Sequence, residues 1–378
     1  MTSPAPVQGS AQHSVQGSTQ GSPQSPEPER ARLADLTTLR VGGPAARTVV
    51  ATTRQQVIEA VSSADAAGEP VLVVGGGSNL VVGDDGFDGT VVVVRTRGVE
   101  LESGDWCGGA FLHVDAGEDW DSLVARAVAN GWSGVECLSG IPGTVGATPV
   151  QNVGAYGQQL SDVLASVQTW DRKDGRLRTI PAFNCKLRYR DSLFKDEPGR
   201  YVILDVVLQL PINDLAAPVK YAELAAQMGA EPGERRPLAE VREAVLALRR
   251  RKGMVLDASD HDTWSTGSFF TNPLLTPAQA AALPEDAPRH PDPASGLVKT
   301  SAAWLVERAG FPRGSGLDGA LPSSSPATLS TKHTLAVTNR GSASAADVLG
   351  LARAVRDGVR ERFGVELVPE PELVGCAL

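Results

Sequence analysis

The stretch "VLVVGGGSNLVV" (71–82) sets three glycines between two runs of valine and leucine. Bare backbone is needed where a chain turns with positive φ or where another group comes very close. The visitor is either another part of the chain or a phosphate. As a Rossmann fingerprint the stretch fails: Gly75-x-Gly77 has Leu80 where the third glycine belongs, and the following "VVGDDGFDG" is turn-like. No G-K-[ST] marks a P-loop, and no G-x-S-x-G marks an α/β hydrolase. Taken alone, the glycines are evenly balanced between a tight structural turn and an anion cradle.

A second stretch, "SGIPGTVGATPVQNVGAYG" (139–157), shifts that balance. Gly140, Gly143 and Gly146 recur every third residue, followed by Gln151, Asn152, Gly154 and Gly157. Two loops rich in exposed N–H groups are able to wrap opposite sides of one pyrophosphate. A crowded junction accounts for either loop, less comfortably for both.

Around these loops strands and helices alternate. "RTVVAT", "PVLVV" and "TVVVVR" (90–95) read as strands. "RQQVIEAVSSADAAG" puts Val57, Val61 and Ala64 on one helical face and stops at Gly68. "DWDSLVARAVANG" is a helix with Asp119 as N-cap and Gly131 past its end. "SVQTWDRKDGRLRTI" predicts a hairpin turning at Asp174-Gly175, and "YVILDVVLQL" (201–210) a further strand. "PLAEVREAVLALRRRKG" starts near Pro237 with Leu238, Val241, Val245 and Leu248 as its apolar face. The last third holds a helix at "SAAWLVERAG", a strand at "TLAVTN" and a helix over 344–363 opened by a Ser344/Asp347 capping box. The class expected is α+β.

A chain of 378 residues has room for two or three cores. Its net charge of −9 argues against a nucleic-acid binder, and no apolar run suits a bilayer. Residues 1–30, a Q-G-S tract, have almost nothing to bury, so disorder is expected. Four scattered cysteines and no H-E-x-x-H predict neither a disulfide framework nor a metal site. With no signal-peptide pattern, the expected location is the cytoplasm.

In order along the chain, "GGGSNL", "SGIPGTVGATPVQNVGAYG", "YRDSLFK", "GSFFTNP" and "EPEL" resemble the UDP-N-acetylenolpyruvoylglucosamine reductase family, of the type with a substrate-capping tyrosine. The resemblance runs from about Leu33 to Glu372. It implies an FAD-binding domain of the vanillyl-alcohol-oxidase type in two α/β subdomains (31–96 and 97–255) and a C-terminal α+β substrate domain (256–378). FAD would lie against Gly75, Gly76, Gly77, Ser78, Asn79 and Leu80 on one side. On the other it would meet Ile141, Pro142, Gly143, Thr144, Gly146, Val150, Gln151, Asn152 and Gly154. Neither glycine stretch contains the histidine that other superfamily members offer the flavin, so noncovalent FAD is expected.

The family reaction reduces the enolpyruvyl ether of UDP-N-acetylglucosamine enolpyruvate to a lactyl ether, with NADPH as reductant and FAD as carrier. Hydride addition to the terminal alkene carbon leaves enolate character next to the carboxylate. That charge calls for a cation and a proton donor. Arg190, Ser268 and Glu372 match the family's catalytic arginine, proton-donating serine and glutamate, with Glu370 a rival to Glu372. From the residues alone, the favoured reading of Arg190 is the surface partner of Asp191 or Asp196, and the commoner role of a serine such as Ser268 is a turn or helix cap. Tyr221, Lys252 and Asn272 match substrate-contacting positions, and Arg249 lies on nearly the same helical face as Lys252. Three departures stand out: Arg308 where glutamine or lysine is common, a long segment at 313–332, and no arginine after Glu372. A monomer is expected. The competing functions are a superfamily oxidase and a UDP-sugar-binding protein without catalysis.

Overall fold

The structure, a computed structural model, describes residues 31–105, 107–292 and 295–378. The Q-G-S tail at 1–30 lies outside the described residues. A parallel three-stranded sheet forms first, from β1 (Ala45–Ala51), β2 (Val71–Val74) and β4 (Phe87–Val94), with β4 in the middle. Val91–Val94 are buried, which explains a continuous valine run in place of alternation. Helix α1 (Arg54–Ala67) covers the sheet. Thr53 and Gln56 form a capping box at its start, and Gly68 ends it in the left-handed conformation. The short β3 (Leu80–Val82) leaves this sheet and pairs in parallel with Glu372–Val374.

A five-stranded antiparallel sheet follows, in the order 176–181, 164–171, 201–210, β6 (Gly109–Asp115), β5 (Val99–Asp105). The expected hairpin is there, with Asp171 opposite Arg176 and Gly175 at φ +60°. Helix α2 (Trp120–Ala129) is capped by the Asp119 side chain, which accepts the Ser122 N–H. Its Trp120, Leu123, Val124 and Ala127 share one core with Val57 and Val61 of α1 and with Leu112 and Val206 of the second sheet. Helix Leu238–Arg251 packs Val241, Val245 and Leu248 against Val219 and Leu224 in a smaller core.

In the C-terminal part, helix Ala345–Phe363 carries the expected Ser344/Asp347 capping box, and Asp84 also accepts the Ala345 N–H at 2.7 Å. This helix packs with Phe269, Phe270, Leu305 and Val337, and with Leu39, Val41 and Val81 from the start of the chain. The first and last segments therefore share a core. The long 313–332 segment is organised by Asp318, whose carboxylate accepts from Ser323 Oγ at 2.6 Å and from the Ser324 N–H at 2.7 Å.

The visitor to "GGGSNL" is the chain itself. A Cβ on Gly76 would lie 2.6 Å from the Cα of Gly143, and one on Gly75 would lie 2.2 Å from Thr144 Oγ1. Ser78 Oγ donates to the Pro142 carbonyl at 2.9 Å, locking the two loops together.

Gly77 and Gly175 isolate the cost of this crowding, since their φ values are +61° and +60°. A Cβ on Gly77 would fall 1.9 Å from the Leu36 carbonyl oxygen, whereas one on Gly175 meets nothing within 4 Å. Alanine at either site bears the same left-handed strain, about 1–2 kcal/mol. Gly77→Ala should lose roughly a further 1–3 kcal/mol to overpacking. Equal denaturation midpoints for the two variants would contradict this account.

Candidate active site

One cleft of about 1310 Å³ opens between the glycine loops and the C-terminal part. That exceeds the roughly 300–1,000 Å³ of a site for one drug-sized molecule, so it has room for a cofactor and a substrate together. Polar groups brace the second glycine loop from outside the cleft lining. The Asp121 carboxylate accepts the Gly140 N–H at 2.6 Å and is gripped by Arg242 at 2.6 and 2.9 Å. Glu136, fully buried, accepts from Gln158 Nε2 and from the Gly134 N–H.

Of the residues expected to meet FAD, Gly75 to Leu80 and Ile141, Pro142, Gly143, Thr144, Gly146, Val150, Gln151 and Gly154 all line the cleft. Asn152 is absent from the lining. It is buried, its backbone is left-handed at φ +46°, and its side chain accepts the Ser161 N–H at 3.0 Å. It shapes the loop. Asn79 Nδ2 donates to Gln151 Oε1 at 2.8 Å, a second tie between the loops.

Arg190, Ser268 and Glu372 line the same cleft. Arg190 sits at φ +55°, and its Nη2 donates to the Gly154 carbonyl at 2.8 Å. Its partner is neither Asp191 nor Asp196, both of which Arg188 holds. Arg190 instead faces Glu370, with Nε 3.0 Å from Oε1. The angle at that Nε is too oblique for a hydrogen bond, so the contact is an ion pair. Burial holds the Glu370 carboxyl above the usual carboxylate range, against the pull of Arg190 and Lys195. Of the two glutamates of "EPEL", Glu370 is the more buried and Glu372 is exposed. The Glu372 N–H bonds Asn79 O at 2.9 Å where its strand pairs with β3.

Tyr221, Arg249 and Lys252 also line the cleft. Tyr221 is half exposed and packs edge-on against Tyr156, their ring centres 5.8 Å apart. Lys252 Nζ pairs with Glu223 at 2.6 Å and lies 5.8 Å from the centre of the Tyr156 ring. Arg249 donates to the Met254 carbonyl at 2.8 Å, and burial pushes its guanidinium down to about 10. Asn272 is a wall residue, but its Oδ1 accepts the Ala302 N–H at 2.9 Å at the start of the 302–308 helix. Arg308 does not line the cleft and pairs with Asp286 at 2.5 Å. Lys299 and His333 line the wall without any local sequence signal, and Tyr189 of "YRDS" lines it as well.

The residues fit a dinucleotide flavin. The loops present backbone in place of side chains, a Cβ on Gly157 would meet only open space, and Arg190, Lys195, Arg249, Lys252 and Lys299 supply cations. Among the described residues no helix is long and apolar enough to cross a membrane.

Comparison with known proteins accords with this geometry. Residues 45–181 match the profile described as "FAD binding domain", which makes the chain a flavoprotein built on the vanillyl-alcohol-oxidase type of fold. Residues 259–374 match "UDP-N-acetylenolpyruvoylglucosamine reductase, C-terminal domain". The reductase of that name from Cutibacterium acnes is 54% identical over 93% of this chain and 91% of its own. The Streptomyces avermitilis reductase is 51% identical over 94% of this chain and 100% of its own. A crystal structure of the Thermus caldophilus reductase superposes with a TM-score of 0.61 at 27% identity, covering 92% of this chain and 98% of that one. The chain belongs to the UDP-N-acetylenolpyruvoylglucosamine reductase family, and its cofactor is FAD.

His333 offers a pH test of the wall. Its Nδ1 accepts the Leu335 N–H at 3.1 Å, which requires the neutral ring with its proton on Nε2. Burial, reinforced by Lys252 and Arg249, pulls its pKa down to about 4. The folded state thus binds fewer protons than the unfolded chain between about pH 4 and the ordinary histidine value near 6.5. Stability is present above that window and lost as the pH falls through it. In the cofactor-free protein, His333→Asn should flatten the fall in denaturation midpoint between about pH 6.5 and 4. Parallel curves for the two proteins would refute the assignment.

Proposed function

We propose that this chain reduces the enolpyruvyl ether of UDP-N-acetylglucosamine enolpyruvate to UDP-N-acetylmuramate, with NADPH as reductant, in peptidoglycan synthesis. The observation that carries the reading is the convergence of Arg190, Ser268 and Glu372 with both glycine loops on one cleft. The two glycine loops would hold FAD, which, once reduced at the expense of NADPH, would supply the hydride for the terminal alkene carbon. The chain's own groups manage the other end of the double bond. Arg190 grips the substrate carboxylate as charge develops on it, a task suited to a planar, permanently charged fork. Ser268 Oγ delivers a proton to the carbon beside that carboxylate, and hydride plus proton saturate the bond. A hydroxyl is a weak acid, adequate here because an enolate carbon is a strong base. Glu372, on the open side of the cleft, is the third member of this catalytic set.

Tyr221 caps the UDP moiety, and Lys252, helped by Arg249 and Asn272, receives the diphosphate. Glu223 holds Lys252 at 2.6 Å and must yield it to an arriving diphosphate. The substrate is a nucleotide sugar and the reductant a cytoplasmic nucleotide, so we place the protein in the cytoplasm. We take the protein to act as a monomer. A superfamily oxidase, passing electrons to oxygen, has no use for a carboxylate grip beside a proton donor.

Rapid mixing separates the two half-reactions. Ser268→Ala should bind FAD and accept electrons from NADPH at close to the normal rate. Transfer from the reduced protein to the enolpyruvyl substrate should fall by about 10²–10⁴-fold, the usual worth of a positioned acid. Ser268→Cys should recover part of that rate. Normal reoxidation by substrate in Ser268→Ala would remove the residue from the mechanism.

Lys252→Ala should raise KM for the UDP substrate while the flavin stays bound. Loss of flavin instead would assign Lys252 to the cofactor.

A further inference from the structure

Glu370 touches more of the functional motifs than any group so far given a role. Its side chain faces Arg190 of "YRDS" at 3.0 Å. Its backbone carbonyl accepts from Asn79 Nδ2 of "GGGSNL" at 3.2 Å. Its N–H donates to the Phe269 carbonyl at 2.9 Å, one residue beyond Ser268. The backbone is thus tied on both sides, and the carboxylate has little freedom to follow Arg190 if the arginine moves.

Arg190 needs such a restraint. Its stem is long and flexible, and a guanidinium that must meet a carboxylate edge-on loses that geometry on rotation. Gly154 O at 2.8 Å holds one corner of the fork, while the contact to Asn152 O is long at 3.5 Å. The left-handed backbone at Arg190 is steadied by Lys195 Nζ on its carbonyl at 3.3 Å. Among the described residues, only the Glu370 carboxylate meets the Nε side.

We propose that Glu370 is a positioning residue: its carboxylate, fixed between the "GGGSNL" and "GSFFTNP" loops, aims the Arg190 guanidinium at the substrate carboxylate. This rests on the reading that Arg190 grips that carboxylate. Glu370 itself gives up no proton and touches no reacting atom. It also competes with the substrate for Arg190, so removing its charge should not weaken substrate binding. The signature is a loss in rate without a loss in affinity.

The experiment is a double-mutant cycle on the FAD-loaded full chain, followed by rapid mixing with NADPH and then with the enolpyruvyl substrate. Glu370→Gln keeps the shape and removes the charge. It should retain flavin and accept electrons from NADPH within about twofold of the normal rate. The limiting rate of transfer to substrate should fall about tenfold, within the roughly 10²-fold that a 1 Å misplacement can cost. The apparent Kd for substrate should be unchanged or lower. In an Arg190→Lys background, Glu370→Gln should add less than about twofold, because it acts through the arginine. Additive losses, a raised substrate Kd, an unchanged transfer rate or equal damage to both half-reactions would each overturn the proposal. If Arg190→Lys alone leaves substrate transfer unchanged, the carboxylate-grip reading fails, and this proposal falls with it. Failure of the cycle with Arg190→Lys impaired overturns the positioning role alone.

Discussion

Backbone meeting backbone at Gly76 and Gly143 is the constraint on which the cleft depends. The two loops come from different sheets, and no side chain fits between them. Ser78 and Asn79 then cross-link them to Pro142 and Gln151. Behind the second loop stand Glu136 and the Asp121–Arg242 pair, so a surface of small residues is backed by polar groups that are themselves fully engaged. The glycines were selected by the chain's own crowding, and the amide edges left over by that contact are what a diphosphate finds.

Charge in the cleft follows a repeated arrangement. Lys252 is held by Glu223, and Arg190 by Glu370. These two cations proposed to meet substrate anions already have an internal carboxylate on them. Such partners keep long, flexible cations in register when no substrate anion is near, and they limit the penalty of leaving charge in a half-buried wall. The same partners weaken the grip on a ligand, a compromise between order and affinity.

Much of this was legible in the sequence, for local reasons. Thr53, Asp119 and Ser344 announce helix starts through their own side chains, and Gly68 and Gly175 announce a stop and a turn through φ. The valine run of β4 reports a strand buried on both faces. Strand β5 was not legible because its residues are mostly exposed, so "VELESGD" carries no apolar alternation. The three-residue pairing of β3 with Glu372–Val374 has no local signal at all, since each partner is meaningless without the other. The roles of Glu370 and Asn152 escaped for the same reason. Which of two glutamates is buried, and whether an asparagine faces a ligand or its own loop, depends on contacts far away in the chain. Lys299 and His333 reach the cleft only through tertiary packing.

The pairing of β3 with the strand at 372–374 bears on how the protein is made. At about 5–20 residues per second, a ribosome needs on the order of tens of seconds to pass from one partner to the other. Throughout that interval Leu39, Val41 and Val81 have emerged, while the helix at 345–363 that will cover them has not. The nascent chain therefore carries an apolar patch and a bare strand edge beside its first glycine loop, a surface that invites chaperones and premature association alike. The cleft closes only once the strand at 372–374 has been made.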